Sequence, residues 1–395
     1  MIPITKPMIG DEEIAAAAEV LRSGWVSQGP AVARFEQAFA AHVSAQYACA
    51  VSSCTAALYL ALLAVGVKPG DEVITVSHSF IATANSIRYC GAIPVFVDIL
   101  PDTFNLDPAL IESVISEKTK AILCVHQVGM PCDLPGILEI ASRHDLPVIE
   151  DAACAIGSEI CIGERWEPIG KPHGDIACFS FHPRKVITTG EGGMLTTNSI
   201  DLDHRFRQLR QHYMSVPDTT RHNSAQVVFE TYPELGFNFR MTDIQAAIGC
   251  EQLKRLPEII DRRRELAVRY QLLLAEIPKI GLPVEPDWAR SNWQSFCVRL
   301  PDGLDQRYVM QSLLDAGIAT RRGIMCSHRE AAYYPDHTWS CGVGPVDCEC
   351  VAGACQRLRH SEVMQDRIII LPLFPQMSFG QQDEIVLALR NVLLK

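Results

Sequence analysis

The chain has no excess of positive charge: 35 Lys and Arg stand against 46 Asp and Glu, for a formal net charge of −11. Such an acidic chain makes a poor general binder of nucleic acid, although local amides and a few cations can still hold a phosphorylated small molecule. No uninterrupted apolar run reaches membrane-spanning length, so no membrane partner is expected. The opening Met1-Ile2-Pro3-Ile4-Thr5-Lys6 lacks the apolar core and cleavage site of a secretory signal, and a cytoplasmic location is the expectation. Paired Cys-x2-Cys zinc spacing is also missing. Of the fifteen cysteines, Cys49, Cys124, Cys178 and Cys250 sit singly in apolar runs, as small hydrophobes do. Without an export signal, a disulfide framework is not expected. Cys341, Cys348, Cys350 and Cys355 are spaced C-x6-C-x-C-x4-C. That matches neither common zinc sites nor iron–sulfur runs, so a Cys-rich loop and no metal is the expectation.

What is present is ordinary globular composition, 48% hydrophobic and 21% charged over 395 residues, long enough for more than one domain. The patterning predicts a large domain over 1–277 and a smaller α+β domain over 278–395. Strand-like runs at 47–53, 72–76, 94–98, 121–126 and 147–150 are separated by helical stretches at 58–65, 107–115 and 134–144, and from residue 81. Helices are also expected at 11–22, 31–42 and 200–212, and from Thr242 to about residue 275 with one proline interruption. Residues 223–231 read as a loop, mobile on this expectation. In the C-terminal part, strands are expected at 293–300, 319–322 and 368–371, and helices at 304–316 and 381–394. Alternating strands and helices of this length predict an α/β fold with a mostly parallel sheet covered on both faces. Sites in such sheets lie beyond the carboxyl ends of the strands, here at His126, Glu150-Asp151 and Ser180.

The richest stretch is 177–197, A-C-F-S-F-H-P-R-K-V-I-T-T-G-E-G-G-M-L-T-T, with a single lysine, Lys185. A β-like run ends at Phe179-Ser180-Phe181, and another begins at Met194 after the glycines 190, 192 and 193. Two strands joined by such a loop place Lys185 in a turn. A lysine there is either a solvated surface group or, partly desolvated, an amine that attacks a carbonyl. Upstream, the run 47–53 passes through Ser53-Cys54-Thr55 straight into a helix. That is an ordinary N-cap or an anion site at a helix N-terminus, and the two are compatible. Phe80, just past a strand end, is either a core ring or one that stacks on a flat ligand. Asp151 is either a cap or buried ion-pair partner, or a carboxylate facing a protonated ring nitrogen.

Taken together, these segments resemble the pyridoxal-phosphate (PLP) sugar aminotransferases of the DegT/StrS type, of fold type I, over nearly the whole chain. The resemblance is carried by the Lys185 loop, by Glu150-Asp151-Ala152-Ala153-Cys154-Ala155, by the S/T-aromatic-x-A-T segment at 79–83, and by Gly236-Phe237-Asn238-Phe239-Arg240-Met241-Thr242-Asp243-Ile244-Gln245-Ala246-Ala247. It implies a Schiff base to PLP at Lys185, which then serves as general base, and a pairing of Asp151 with the pyridine nitrogen. It implies stacking by Phe80 and phosphate contacts from Cys54, Thr55 and Ser180, with Asn238 supplied by the other subunit of a homodimer with shared active sites. Two positions depart from the family's residues: Cys54 replaces a glycine, and Cys154 replaces the glutamine that meets the ring hydroxyl. His182, Arg321, Arg322 and His328 fall in segments similar to substrate-facing ones, though adjacent arginines also suit a solvated turn. The implied reaction aminates a keto sugar, such as a nucleotide-linked 3- or 4-keto deoxysugar, with glutamate or glutamine as donor. A keto-cyclitol aminotransferase and a PLP-binding regulator without turnover are the other readings. Dehydratases of this type carry histidine in place of the lysine, and Lys185 argues against that branch.

Overall fold

A computed structural model of the chain describes residues 1–216, 225–335, 338–342, 350 and 353–394. Its centre is a seven-stranded sheet in the order β1-β9-β8-β5-β4-β2-β3. The strands are β1 (Tyr47–Val51), β2 (Glu72–Val76), β3 (Ile93–Val97), β4 (Thr119–Val125), β5 (Val148–Asp151), β8 (Ile176–Ser180) and β9 (Gly193–Thr197). Pairs β3·β2, β2·β4, β4·β5 and β5·β8 are parallel, whereas β9 runs antiparallel to both β8 and β1. The strands are nearly continuous apolar runs because helices cover both faces. Helices α1 (Asp11–Ser23), α2 (Pro30–Val43), α5 (Leu134–Arg143) and α7 (Asp243–Leu274) contribute to one core. Helices α3 (Cys54–Ala64), α4 (Ala82–Tyr89) and α6 (Ile200–Leu209) contribute to the other.

Most expected elements form within a few residues of the expected bounds. Residues 107–115 differ: in place of one helix there are two 3₁₀ turns, Pro108–Leu110 and Glu112–Val114. The β-branched Ile111, Val114 and Ile115 disfavour a continuous α-helix here. Helix α6 stops at Leu209, where the chain turns so that Gln211 bridges to Asn238. Pro257 lies inside α7 without ending it. Of the loop expected at 223–231, residues 223–224 lie outside the described residues, and the rest carries no regular element. The hairpin β6 (Glu159–Ile162) and β7 (Arg165–Pro168), completed by β10 (Ala289–Arg290), is an addition to the expected elements.

The C-terminal part forms a three-stranded antiparallel sheet of β11 (Phe296–Arg299), β13 (Ile368–Leu371) and β12 (Arg321–Arg322). It is accompanied by α8 (Gln306–Asp315), α9 (Arg359–Arg367) and α10 (Phe379–Leu393). Its core also takes in Ile2 and, from α7 and just beyond, Leu266, Tyr270, Leu274 and Ile277. Among the described residues no helix is long and apolar enough to cross a membrane.

Candidate active site

The parallel strands deliver their carboxyl ends to one edge of the large sheet, and a cavity of about 730 Å³ opens there. Ser53, Cys54 and Thr55 follow β1; Ser79 and Phe80 follow β2; Val125 and His126 end β4; Asp151 ends β5; and Ser180, His182 and Lys185 end and follow β8. The C-terminal part closes the other side with Gln294, Ser295, Arg321 and Arg322, and the N-terminal Ile4 and Thr5 line the mouth.

The lysine loop is tied off at its base. The Phe181 amide donates to the Gly192 carbonyl at 2.9 Å, and the Phe181 carbonyl accepts from the Thr189 amide at 3.0 Å and the Thr188 hydroxyl at 2.8 Å. Lys185 is thereby held in a turn, with its Nζ 3.0 Å from Cys154 Sγ. Burial disfavours the ammonium, but Cys154, Asp151 and Cys54 outweigh it and hold Lys185 above the usual lysine value. Desolvation alone therefore does not neutralise this amine. His182 Nδ1 accepts from the Arg184 amide at 3.2 Å, and burial lowers the pKa of this ring.

Asp151 is 5% exposed. Its carboxylate accepts from Thr83 Oγ1 at 2.7 Å and from the Ala153 amide at 3.2 Å. Burial raises its pKa, against the pull of Thr83 and Lys185. A carboxylate so placed favours a cationic partner. Beside it, the Cys132 amide donates to His126 Nδ1 at 3.1 Å, so Nε2 carries the proton and donates to Glu150 at 3.0 Å. Val128 lines the same wall at φ 50°, a costly conformation for a β-branched residue.

On the β1 side, the Ser53 hydroxyl caps α3 by accepting from the Ala56 amide at 3.1 Å. The first-turn amides of α3, with Cys54 and Thr55 at the cavity, lack intrahelical acceptors and suit an anion. Gly193 makes this approach possible: a Cβ there would lie 2.5 Å from the Ser53 carbonyl and 2.6 Å from the Cys54 amide nitrogen. Burial pushes the Cys54 thiol well above its ordinary pKa.

Of the residues singled out from sequence, Lys185, Asp151, Cys54, Thr55, Phe80, Cys154, Ser180, His182, Arg321 and Arg322 all line this one cavity. Phe80 is 62% exposed and belongs to the wall of the cavity, not to the core. His328 does not reach the cavity lining, which corrects the expectation that it faces substrate. It is buried behind the wall, where Ser77 donates to its Nδ1 at 2.6 Å and its Nε2 donates to Glu362 at 3.0 Å. That orientation is set by partners far away in sequence. Asn238 lies outside the lining and is exposed. Thr83, Gln127, Arg184, Glu191 and Gln294 are lining residues that the sequence reading passed over. Thr83, Arg184 and Glu191 lay within quoted stretches, whereas Gln127 and Gln294 did not.

Three comparisons bear on this site. The chain is 38% identical, over 99% of its length and 97% of the relative's, to the spore coat polysaccharide biosynthesis protein SpsC of Bacillus subtilis. It is 35% identical to the UDP-4-amino-4-deoxy-L-arabinose–oxoglutarate aminotransferase of Shewanella sediminis, covering 99% of this chain and 98% of that one. The crystal structure of the aminotransferase TlmJ from Streptoalloteichus hindustanus superposes with a TM-score of 0.86 at 31% identity, over 100% and 99% of the two chains. A Streptococcus pneumoniae neighbour at 27% identity has been solved in both PLP and PMP forms, and PLP is the cofactor of these enzymes. The profile of one family spans residues 7–390, so the chain belongs to the DegT/DnrJ/EryC1/StrS aminotransferase family, the PLP-dependent sugar aminotransferases.

Proposed function

We propose that this aminotransferase converts a nucleotide-linked 3- or 4-keto deoxysugar to the amino sugar, taking its amino group from glutamate or glutamine. The observation that carries the reading is the convergence of Lys185 and Asp151 on one cavity that Arg184, Arg321 and Arg322 also line. Guanidinium groups suit both the carboxylates of an amino donor and the phosphates of a nucleotide. Two relatives lie in the same direction, one named for a UDP-linked amino sugar and one for polysaccharide biosynthesis.

The residues fit the cofactor. Bound PLP carries the amino group and, with its ring nitrogen protonated, accepts the electron pair released at the substrate carbon. The α3 amides at Cys54 and Thr55, the Ser180 hydroxyl and the close pass of Gly193 suit its phosphate. Asp151, buried and short of a cation, suits the ring N–H, with Thr83 fixing the carboxylate. Phe80 offers a ring face. Lys185 would hold the cofactor's aldehyde carbon through its Nζ and, when free of it, that amine would serve as the general base. Cys154, at the family's glutamine position, would be the residue nearest in role to a partner for the ring hydroxyl, and a thiol would donate only weakly to it.

On this reading the chain divides near 277/278 and works in the cytoplasm. It acts as a homodimer in which Asn238 serves the partner's site. The segment before Asn238 supports the pairing, for it leaves Val227, Phe229 and Leu235 at 86%, 87% and 83% exposure, an apolar surface suited to an interface.

The test is direct. Purified enzyme, PLP, glutamate or glutamine and a panel of UDP- and dTDP-linked keto sugars should yield an amino sugar and the matching keto acid. Lys185→Ala should reduce turnover by about a thousandfold or more. Borohydride reduction and peptide mapping should place the label on Lys185. A label elsewhere, or full turnover by the variant, overturns the reading.

A further inference from the structure

We propose that Cys341, Cys350 and Cys355 form a structural zinc(II) site that fastens residues 338–342 and 353–358 to the outer edge of the large sheet. The linear spacing of these cysteines matches no common zinc pattern, but the fold supplies what the spacing does not. The three Sγ atoms all lie within 4.8 Å of one another. Tetrahedral zinc with Zn–S bonds of ~2.3 Å places its sulfurs about 3.8 Å apart. Cys341 and Cys350 are already 3.8 Å apart, and Cys350 and Cys355 are 3.1 Å apart, so one pair opens by several tenths of an ångström on binding.

The backbone holds Cys341 and Cys355 in place from independent directions. Ser340 extends the edge of the sheet beside β3: its amide donates to the Pro94 carbonyl at 3.0 Å and its carbonyl accepts from the Phe96 amide at 2.7 Å. Cys341 follows it directly. The Cys355 amide donates to Glu362 Oε1 at 2.6 Å, the same oxygen that accepts from His328. Cys341 and Cys355 are 4% and 2% exposed and pack with Phe96, Tyr333 and Leu358. That small cluster also takes in Ile81 and Ala84, at and beside the start of α4, just after Phe80. The site therefore braces the element that carries one wall of the active-site cavity.

Soft thiolates select zinc, copper(I) or iron–sulfur clusters. A single ion needs no further cysteine run, and tetrahedral zinc accepts three thiolates together with a fourth donor. Binding converts the three thiols to thiolates and releases their protons to solvent, and a fourth position remains for water or another donor. A disulfide would join two of the thiols and leave the third buried beside it without a use.

The test uses the full-length holoenzyme purified without chelators and analysed for metal by mass spectrometry. The expected result is about one zinc per chain, falling about tenfold or more in Cys341→Ser and in Cys355→Ser but not in Cys161→Ser, which lies in the distant β6. If the serine variants precipitate, the wild-type chain decides. Chelator treatment should remove the zinc and lower Tm, and zinc sulfate should restore both. A chain that purifies without zinc and takes none from zinc sulfate overturns the proposal. So does non-reducing peptide mapping that joins any two of the three cysteines by a disulfide.

Discussion

At the scale of single residues, the carboxylate of Asp151 is balanced between opposing influences. Burial raises its pKa, and the Thr83 hydroxyl 2.7 Å away and Lys185 draw it back. Thr83→Val keeps the shape but removes the donor, and an unmet hydrogen bond to a charged acceptor costs about 1–3 kcal/mol. The pKa of Asp151 should then rise further, less of it should be ionised at neutral pH, and the ring nitrogen should lose its partner. The expected outcome is a PLP dissociation constant or a kcat worse by about 10-fold to 100-fold, measured by cofactor titration and steady-state rates. Values equal to wild type would remove Thr83 from the site. His78 behaves differently. It is fully buried, its ring nitrogens have no hydrogen-bond partner among the described residues, and burial pushes its pKa down to about 3. The unfolded chain, near 6.5, takes up the proton first as pH falls. The stability from keeping His78 neutral is therefore complete above about pH 6.5 and is lost progressively toward pH 3. Between pH 7 and pH 5 this one group should remove about 2 kcal/mol. Denaturant melts of wild type and His78→Leu at the two pH values should show a shallower pH dependence in the variant by that amount.

At the scale of elements, two close contacts hold the site in register. Asp243, at the start of α7, accepts from the amides of Gly29 at 2.7 Å, Ala31 at 3.0 Å and Val32 at 2.9 Å, and so caps the distant helix α2. Gly193 lets β9 pass against the start of α3. In Gly193→Ala the new methyl would strike backbone atoms, which cannot rotate away, so overpacking of about 1–3 kcal/mol is expected. The displaced α3 amides should also weaken PLP binding. A lowered Tm together with a raised PLP dissociation constant would bear this out, whereas a lowered Tm with unchanged PLP affinity would separate α3 from the phosphate. These contacts also explain which parts of the site could be read from the chain alone. The strand ends at His126, Glu150-Asp151 and Ser180 were legible because each closes a short apolar run. Lys185 was legible because its loop is framed by β-like runs and glycines. The partner of Asp243 was not legible, because α2 begins more than two hundred residues earlier, a separation of 211 at Val32. His328 was misplaced for the same reason, since Ser77 stands 251 positions away. The hairpin β6–β7 was missed because each strand is four residues long and its third strand, β10, comes from residues 289–290.

At the scale of the whole molecule, the cavity draws on the N-terminus, the strand ends of the large sheet and the C-terminal sheet. Asn238, the motif residue left over, is exposed and pinned by its bridge to Gln211, outside its own chain's cavity. The apolar Val227, Phe229 and Leu235 precede it on a segment open to solvent. Both facts follow if the segment crosses to a second copy and Asn238 completes that copy's phosphate site. Closed two-fold symmetry then makes each chain give one lysine and borrow one asparagine. The consequence can be measured by subunit exchange. Lys185→Ala should be inactive, and Asn238→Asp should be weak because its carboxylate repels the phosphate. In a hybrid dimer, one site takes its lysine from the Asn238→Asp chain and its asparagine from the Lys185→Ala chain, and is wild type throughout. Equal mixing under exchange conditions should therefore restore activity to about a quarter of wild type per total chain. If Asn238 served its own chain's site, no hybrid site would be whole, and the mixture would show only the sum of the two weak variants.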